Sequence, residues 1–306
     1  MTPRQAPGAG GPEARPGWAG AGGRLGPEAA TPRVALTIAG SDSGGGAGIA
    51  ADLKTFAAHG VMGTLAITAV TAQNTLGVQG VQTITPAMVV AQIDSVVADL
   101  HPAAAKTGML ATPEIVKVVA SKAHDGTLPN LVVDPVLVAS SGDPLFDGSE
   151  VQDAYRELVA TATVVTPNLP EACLLVGRPI DSVEAMTAAA RELQALGPAL
   201  VVVKGGHRPG SFAVDVAFDG KAVTLLRSGW VQTRNNHGTG CSFSAAITAQ
   251  LALGLEPLPA ALEAKSFVHR AIELAAGWQL GDGHGPIDHL GAALRWDTGR
   301  LGAVDV

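Results

Sequence analysis

His237-Gly238-Thr239-Gly240-Cys241-Ser242 combines the parts of an anion cradle with a nucleophilic thiol. The run stands just before Phe243-Ser244-Ala245-Ala246-Ile247, which reads as a helix. Backbone N–H groups at a helix start have no intrahelical acceptors, and the helix dipole adds partial positive charge there. Glycines at 238 and 240 let an anion approach that backbone, with Thr239 between them. A thiol at 241, in the first turn, would feel the same field, so Cys241 is expected as a base or nucleophile of lowered pKa. His237, four residues earlier, also allows a Cys–His pair, although it precedes the helix and shares no helix face with Cys241.

Such groups need a scaffold, and the chain supplies one as alternating elements. Val34–Ile38, Gly63–Val70, Ala103–Lys106, Leu131–Asp134, Val164–Thr166 and Leu200–Val203 read as strands, most of them buried. Helices are expected over Ala51–His59, from Thr85-Pro86 to about Leu100, from Thr112-Pro113, and through most of Gly240–Gly277. Asp181 with Glu184 reads as a capping box, and Asp219-Gly220-Lys221 as the turn of a hairpin. This alternation implies a three-layer α/β/α fold around a mostly parallel sheet, whose ligands sit at the carboxyl ends of the strands.

The residues at those ends carry chemistry. After the first strand comes Gly40-Ser41-Asp42-Ser43-Gly44-Gly45-Gly46-Ala47-Gly48, a polar loop able to close over a small ligand. It is not the dinucleotide fingerprint, because Ile49 stands where a third glycine belongs, and no Gly-x-x-x-x-Gly-Lys-Ser/Thr loop occurs. Gln73 offers a donor and an acceptor together, which suits the edge of a heteroaromatic ring. Met109 places a flexible apolar side chain at the same mouth. Asp134, Asn168 and Glu171 suit a hydrated Mg²⁺ held with phosphate oxygens, and Lys204 offers charge to a nucleotide phosphate.

The order and spelling of these segments resemble the bacterial hydroxymethylpyrimidine/phosphomethylpyrimidine kinases of thiamine synthesis. The resemblance is carried by Ala39–Ile49, Ala51-Asp52-Leu53-Lys54-Thr55-Phe56, Thr71-Ala72-Gln73-Asn74-Thr75, Lys106-Thr107-Gly108-Met109-Leu110, Val133-Asp134-Pro135-Val136, Thr166–Ala172, Lys204-Gly205-Gly206-His207, Asn236–Cys241 and Gly283-His284-Gly285-Pro286-Ile287. It implies a ribokinase-like fold and ATP-dependent phosphorylation of the pyrimidine hydroxymethyl group, then of the monophosphate. It implies that Gln73, Asp42, Gly40, Met109 and Val136 bind the pyrimidine. Gly238, Thr239, Gly240 and Cys241 would form the catalytic anion hole, with Cys241 where sugar kinases of this fold carry an Asp base. Lys204, Asn168 and Thr166 would meet ATP, and Asp134 and Glu171 would hold Mg²⁺ through water. A homodimer is implied as well. Leu137, Ala139-Ser140-Ser141 and Gly44 depart from the family pattern. On the same fold, a pyridoxal kinase is the alternative. A non-catalytic pyrimidine-binding module and a cysteine hydrolase built on Cys241 and His237 are rivals of other classes.

Composition narrows the classes further. The 306 residues are 47% hydrophobic and 15% charged, enough apolar material for a sizeable core, and the net charge is −7. No Lys/Arg block marks a nucleic-acid partner, and no apolar run is long enough to span a bilayer. Cys173 and Cys241 read as free thiols of a reducing, cytoplasmic environment. Residues 1–32, rich in Gly, Pro, Ala and Arg, are expected to be a disordered tail, followed by a kinase domain over 33–292 and a C-terminal extension over 293–306.

Overall fold

The computed structural model describes residues 31–137, 149–206 and 212–292. The expected tail and C-terminal extension, together with Ala139-Ser140-Ser141 and His207, lie outside the described residues apart from Thr31 and Pro32. Contacts divide the chain after Thr31, and the unit that follows, Pro32–Val306, carries everything described below.

The elements run β1 (Val34–Ala39), α1 (Gly48–Ala58), β2 (Met62–Ile67), β3 (Ala69–Asn74), β4 (Gly77–Thr83), α2 (Pro86–Leu100), β5 (Ala104–Thr107), α3 (Pro113–His124), β6 (Val132–Val133), α4 (Ser149–Ala160), β7 (Val164–Val165), α5 (Leu169–Val176), α6 (Val183–Gln194), β8 (Leu200–Val203), β9 (Phe212–Phe218), β10 (Val223–Gly229), α7 (Thr239–Ala252) and α8 (Pro257–Ala275). Eight strands form one sheet in the order β10-β9-β8-β7-β6-β5-β1-β2. The pairs from β2 through β8 are parallel, and the β9–β10 hairpin joins β8 antiparallel. The expected mostly parallel sheet is present.

Strand alternation sorts adjacent residues to opposite faces. Val133 packs with Leu36, Ile93, Val119 and Tyr155 on one side, while Val132 packs with Phe56, Ala245 and Phe267 on the other. Helices α2 to α6 therefore cover one face, and α1, α7 and α8 cover the other. Both faces are buried, which is why the central strands read as unbroken apolar runs.

Helix starts follow local chemistry. Thr85 and Thr112 accept hydrogen bonds from the N–H groups of Met88 and Ile115, each with Pro in the first turn. The expected box at Asp181 shifts by one residue, because Ser182 is the cap and accepts from Ala185 N–H. The Asp219 turn behaves as expected: its carboxylate accepts from the N–H groups of Lys221 and Ala222.

Two larger differences concern the region after β2. The run Gly63–Val70 is not one strand. The chain leaves the main sheet at Thr68, and β3 pairs only with β4 in a separate two-stranded flap. Gln73 thus stands on this flap rather than at the end of a sheet strand. The reason is hydrogen bonding: Thr68 N–H reaches back to Ala39 and Ile84 N–H returns to Thr68, closing the flap at its base.

Candidate active site

Parallel strands end on one edge of the sheet, and that edge gathers the polar side chains. Asp134, directly after β6, is their hub. Its Oδ1 accepts from Lys204 Nζ at 2.7 Å and Thr166 Oγ1 at 3.2 Å, and its Oδ2 from Ser244 Oγ at 3.3 Å. Lys204 follows β8, Thr166 follows β7 and Ser244 lies on α7, so one carboxylate ties three elements together. Burial alone would lower the Lys204 pKa, but the carboxylates of Asp134 and Glu171 outweigh it and raise it, so the ammonium stays charged.

Asn168 and Glu171 form a capping box at the start of α5. Glu171 N–H donates to Asn168 Oδ1 at 2.9 Å, and Asn168 N–H donates to Glu171 Oε2 at 2.7 Å. Both residues therefore also shape the helix start. Glu171 is buried, and burial pushes its carboxyl up to about 8, with Lys204 pulling it down and Asp134 pushing it further up.

The N-terminus of α7 faces this cluster. No side chain caps it, and the N–H groups of Gly240 and Cys241 find no acceptor among the described residues. A Cβ placed on Gly240 would stand 3.3 Å from Lys204 Nζ and 4.0 Å from Asp134 Oδ2. Gly238 caps the helix at φ 79°, and a Cβ there would collide with the Gly46 carbonyl, so the polar loop after β1 lies directly on the helix start. Thr239 turns its hydroxyl to Asn236 O at 2.6 Å. Open backbone donors beside a fixed ammonium are the requirements for holding a transferring anion.

Cys241 occupies the expected first turn, but its thiol is not lowered. Burial pushes it up to about 11, against the pull of the Lys106 ammonium and the Gly48 N–H, with Asp52 and Asp134 adding to the rise. Desolvation outweighs the helix start.

The ring-binding side is built on the loop after β1. Asp42 is almost fully buried and accepts from the N–H groups of Gly44, Gly46 and Ala47 and from His237 Nε2 at 2.9 Å. Burial alone would raise its carboxyl, but His237 and the Ala47 and Gly44 N–H groups hold it below the ordinary carboxylate value. Its side chain is committed to shaping the loop and holding His237 rather than standing open to a ligand. This also removes His237 from any pairing with Cys241, since its Nε2 serves Asp42.

Ser43 clamps the flap to the loop: its hydroxyl donates to Gln73 O at 2.6 Å and accepts from Gln73 N–H at 2.7 Å. The Gln73 carboxamide sits with its nitrogen 3.4 Å from His237 Nε2 and its oxygen 3.5 Å from Thr71 Oγ1. Both neighbours already donate elsewhere, His237 to ionised Asp42 and Thr71 to Ser41 O. Their chemistry is satisfied with the carboxamide turned end for end, which leaves a lone pair and an N–H side by side for a ring edge. Gly40 lies against Met109: its N–H donates to Met109 O, and a Cβ there would collide with Met109 Cε. Met109 and Val136 are half-buried at the ends of β5 and β6.

The phosphomethylpyrimidine kinase model matches residues 42–288, most of the described chain. The chain belongs to the phosphomethylpyrimidine kinase family. Within that family, hydroxymethylpyrimidine/phosphomethylpyrimidine kinase of Rhizobium meliloti is 48% identical over 261 residues, covering 84% of this chain and 97% of the relative. Among solved structures, phosphomethylpyrimidine kinase from Clostridium difficile is 39% identical with a TM-score of 0.70, covering 78% of this chain and 99% of its own. An ADP complex of Bacillus subtilis pyridoxal kinase is also 39% identical, with a TM-score of 0.78, covering 87% and 100%. The fold of this phosphomethylpyrimidine kinase family member is thus ribokinase-like.

The family resemblance also implies a divalent cation. No group of three His, Cys, Asp or Glu ligands gathers among the described residues, so an all-protein cage is not what this edge provides. Two buried carboxylates, Asp134 and Glu171, beside one another at this edge do fit a hydrated Mg²⁺, which keeps most of its waters and takes one or two carboxylates.

Sequence reasoning missed Asp52, Lys106 and Ser244 as part of the site. Lys106 and Asp52 are fully buried and paired at 2.8 Å, with Thr37 Oγ1 donating to Asp52 at 2.7 Å. The available signal was a lysine inside an otherwise apolar strand and an aspartate between Ala51 and the buried Thr55 and Phe56 of α1.

Proposed function

We propose that this chain transfers the γ-phosphoryl of ATP to the hydroxymethyl group of 4-amino-5-hydroxymethyl-2-methylpyrimidine, and then phosphorylates the monophosphate to the diphosphate, in thiamine diphosphate biosynthesis. The observation that carries this reading is the uncapped start of α7 beside Lys204, with the Gln73 flap above the loop that packs on that helix. Gln73 holds the aminopyrimidine edge, with Met109 and Val136 against the ring. Gly238–Cys241 receive the transferring phosphoryl, and Cys241 in its thiolate form takes the proton of the attacking hydroxyl. Lys204, Asn168 and Thr166 serve the nucleotide phosphates. Asp134 and Glu171 hold Mg²⁺ through water, where the ion would offset phosphate charge. Asp42 acts through His237 and the loop.

A coupled ADP-release assay with hydroxymethylpyrimidine, its monophosphate and pyridoxal tests the reading. Turnover of both pyrimidines is expected, and turnover of pyridoxal alone would assign the chain to the alternative that the pyridoxal kinase structures represent. The family resemblance supports a homodimer, and Val70, Val78 and Val81 expose apolar surface on the flap for it. Sedimentation at micromolar concentration reads that state.

Two substitutions separate the halves of the site. Gly240→Val pushes methyl groups into the space beside Lys204, and kcat is expected to fall about a hundredfold while the melting temperature holds. An unchanged kcat would place the phosphoryl elsewhere. Gln73→Leu keeps roughly the same volume but removes the ring-edge hydrogen bonds. The KM for the pyrimidine should rise about tenfold or more with the KM for ATP unmoved, since unpaired ring polar groups lose their partners. Equal loss for both substrates would make Gln73 a structural residue of the flap.

A further inference from the structure

Lys204 is held from two sides, and only one of them belongs to the site described above. Its own N–H donates to Pro167 O at 2.8 Å. On the other side, the β8–β9 ladder pairs Val203 with Val216, and its next step would pair Lys204 with Asp215. The chain departs from β9 there, and the Gly205 N–H goes to a side chain instead, Asp215 Oδ1, at 2.9 Å in a buried setting. Residue 205 has no room for a side chain, because a Cβ would collide with the Val214 carbonyl and stand 2.7 Å from Met186 Cε. The backbone just after Lys204 is therefore pressed against β9 and pinned to it by one carboxylate.

Asp215 is 4% exposed. Its second oxygen accepts from Lys265 Nζ of α8 at 2.7 Å. Among the described residues, neither Asp215 nor Lys265 hydrogen-bonds to Gln73, Cys241 or the α7 start. A buried ion pair of this kind seldom adds stability over an apolar pair of similar volume, so stability alone is a weak account of it. What an apolar pair cannot do is accept the Gly205 N–H.

We infer that Asp215 is a positioning residue for Lys204, fixing the backbone turn that aims the lysine at the nucleotide side of the site, with Lys265 as the ion-pair partner on its second oxygen. The inference rests on the phosphoryl-transfer reading of Lys204. Asp215 acts through Gly205 and touches no reacting atom.

Two double variants isolate the hydrogen bond from the charge. Asp215→Asn/Lys265→Met removes both charges and keeps an oxygen acceptor for Gly205. Asp215→Leu/Lys265→Met removes both charges and the acceptor. The Kd for the non-hydrolysable analogue AMP-PCP is measured by calorimetry, alongside the KM values for ATP and pyrimidine and the melting temperature. The leucine pair is expected to weaken AMP-PCP about tenfold or more and to leave the pyrimidine KM within about twofold, whereas the asparagine pair binds AMP-PCP within about threefold of the parent. If the leucine pair does not fold, Asp215→Ala/Lys265→Met, which adds no bulk, takes its place with the same expectation. Equal AMP-PCP affinity in the acceptor-bearing and acceptor-lacking variants overturns the inference, as does a matching rise in both KM values. A parent protein that binds no AMP-PCP would bring down the phosphoryl-transfer reading itself, and the role of Asp215 with it.

Discussion

Cys241→Ser is expected to lower kcat about a thousandfold while nucleotide affinity and folding stay near those of the parent, a loss within the usual range for removing a general base. The thiol reaches about 11 in this structure because burial, reinforced by Asp52 and Asp134, outweighs Lys106 and the Gly48 N–H. Thiolate is therefore scarce at neutral pH, so the base is the small ionised fraction of Cys241, which becomes the neutral thiol as it takes the hydroxyl proton; a loose transition state needs little base strength, because that proton leaves late. Serine in the same place is a far weaker base. Cys241→Asp should recover part of the rate, its carboxylate supplying the missing basicity. Steady-state ADP release at saturating substrates measures all three. Parent-like turnover from the serine variant would leave catalysis to positioning and the open helix start. A second readout follows from the raised pKa. In a Cys173→Ser background, which removes the other free thiol, alkylation by iodoacetamide should be slow at pH 7 and quicken about tenfold per pH unit towards 11. Bound pyrimidine should protect. Fast alkylation at neutral pH would contradict the balance of charges described here.

The parts legible from the sequence are those where local chemistry and final structure agree. Thr85-Pro86 and Thr112-Pro113 mark helix starts because a hydroxyl cap and a missing N–H act within one turn. Leu200–Val203 is correct to the residue because a strand buried on both faces needs an apolar side chain at every position. Asp134, Lys204 and Gly240 are legible because each directly follows a strand or opens a helix. The flap is not. Every residue of β4 is exposed, so no alternation betrays it, and the apolar run from Gly63 carries on through Thr68, where the chain changes sheets. The thiol pKa escaped for a related reason: the helix start is local, but the desolvation that wins comes from the packing of α1, β5 and α7 around Cys241. Pairings such as Lys106 with Asp52, or Lys265 with Asp215, lie 54 and 50 residues apart, and no local pattern joins them.

The Lys106–Asp52 pair has the largest expected effect on stability. Lys106 enters from the middle of the sheet and Asp52 from α1, and neither has any exposed side-chain surface. Burial would lower the lysine, yet Asp52, with Cys241 and Asp134, raises it, so the ammonium is held by its partners. Lys106→Met deletes that charge and leaves Asp52 in the interior with only the Thr37 hydroxyl. Breaking a buried pair from one side costs about 3–5 kcal/mol, because the remaining charge has lost both water and partner. Urea unfolding should show a loss of that size. Asp52→Leu together with Lys106→Met should regain most of it, since an apolar pair of similar volume needs no compensation. The double variant also separates stability from chemistry. It removes one cation and one anion close to Cys241, with opposite pulls on its thiol, so a recovered fold with near-parental alkylation behaviour is expected. A single variant as stable as the parent would mean that water reaches Asp52, and a double variant as unstable as the single would mean that the pair is held for its hydrogen bonds rather than its charges.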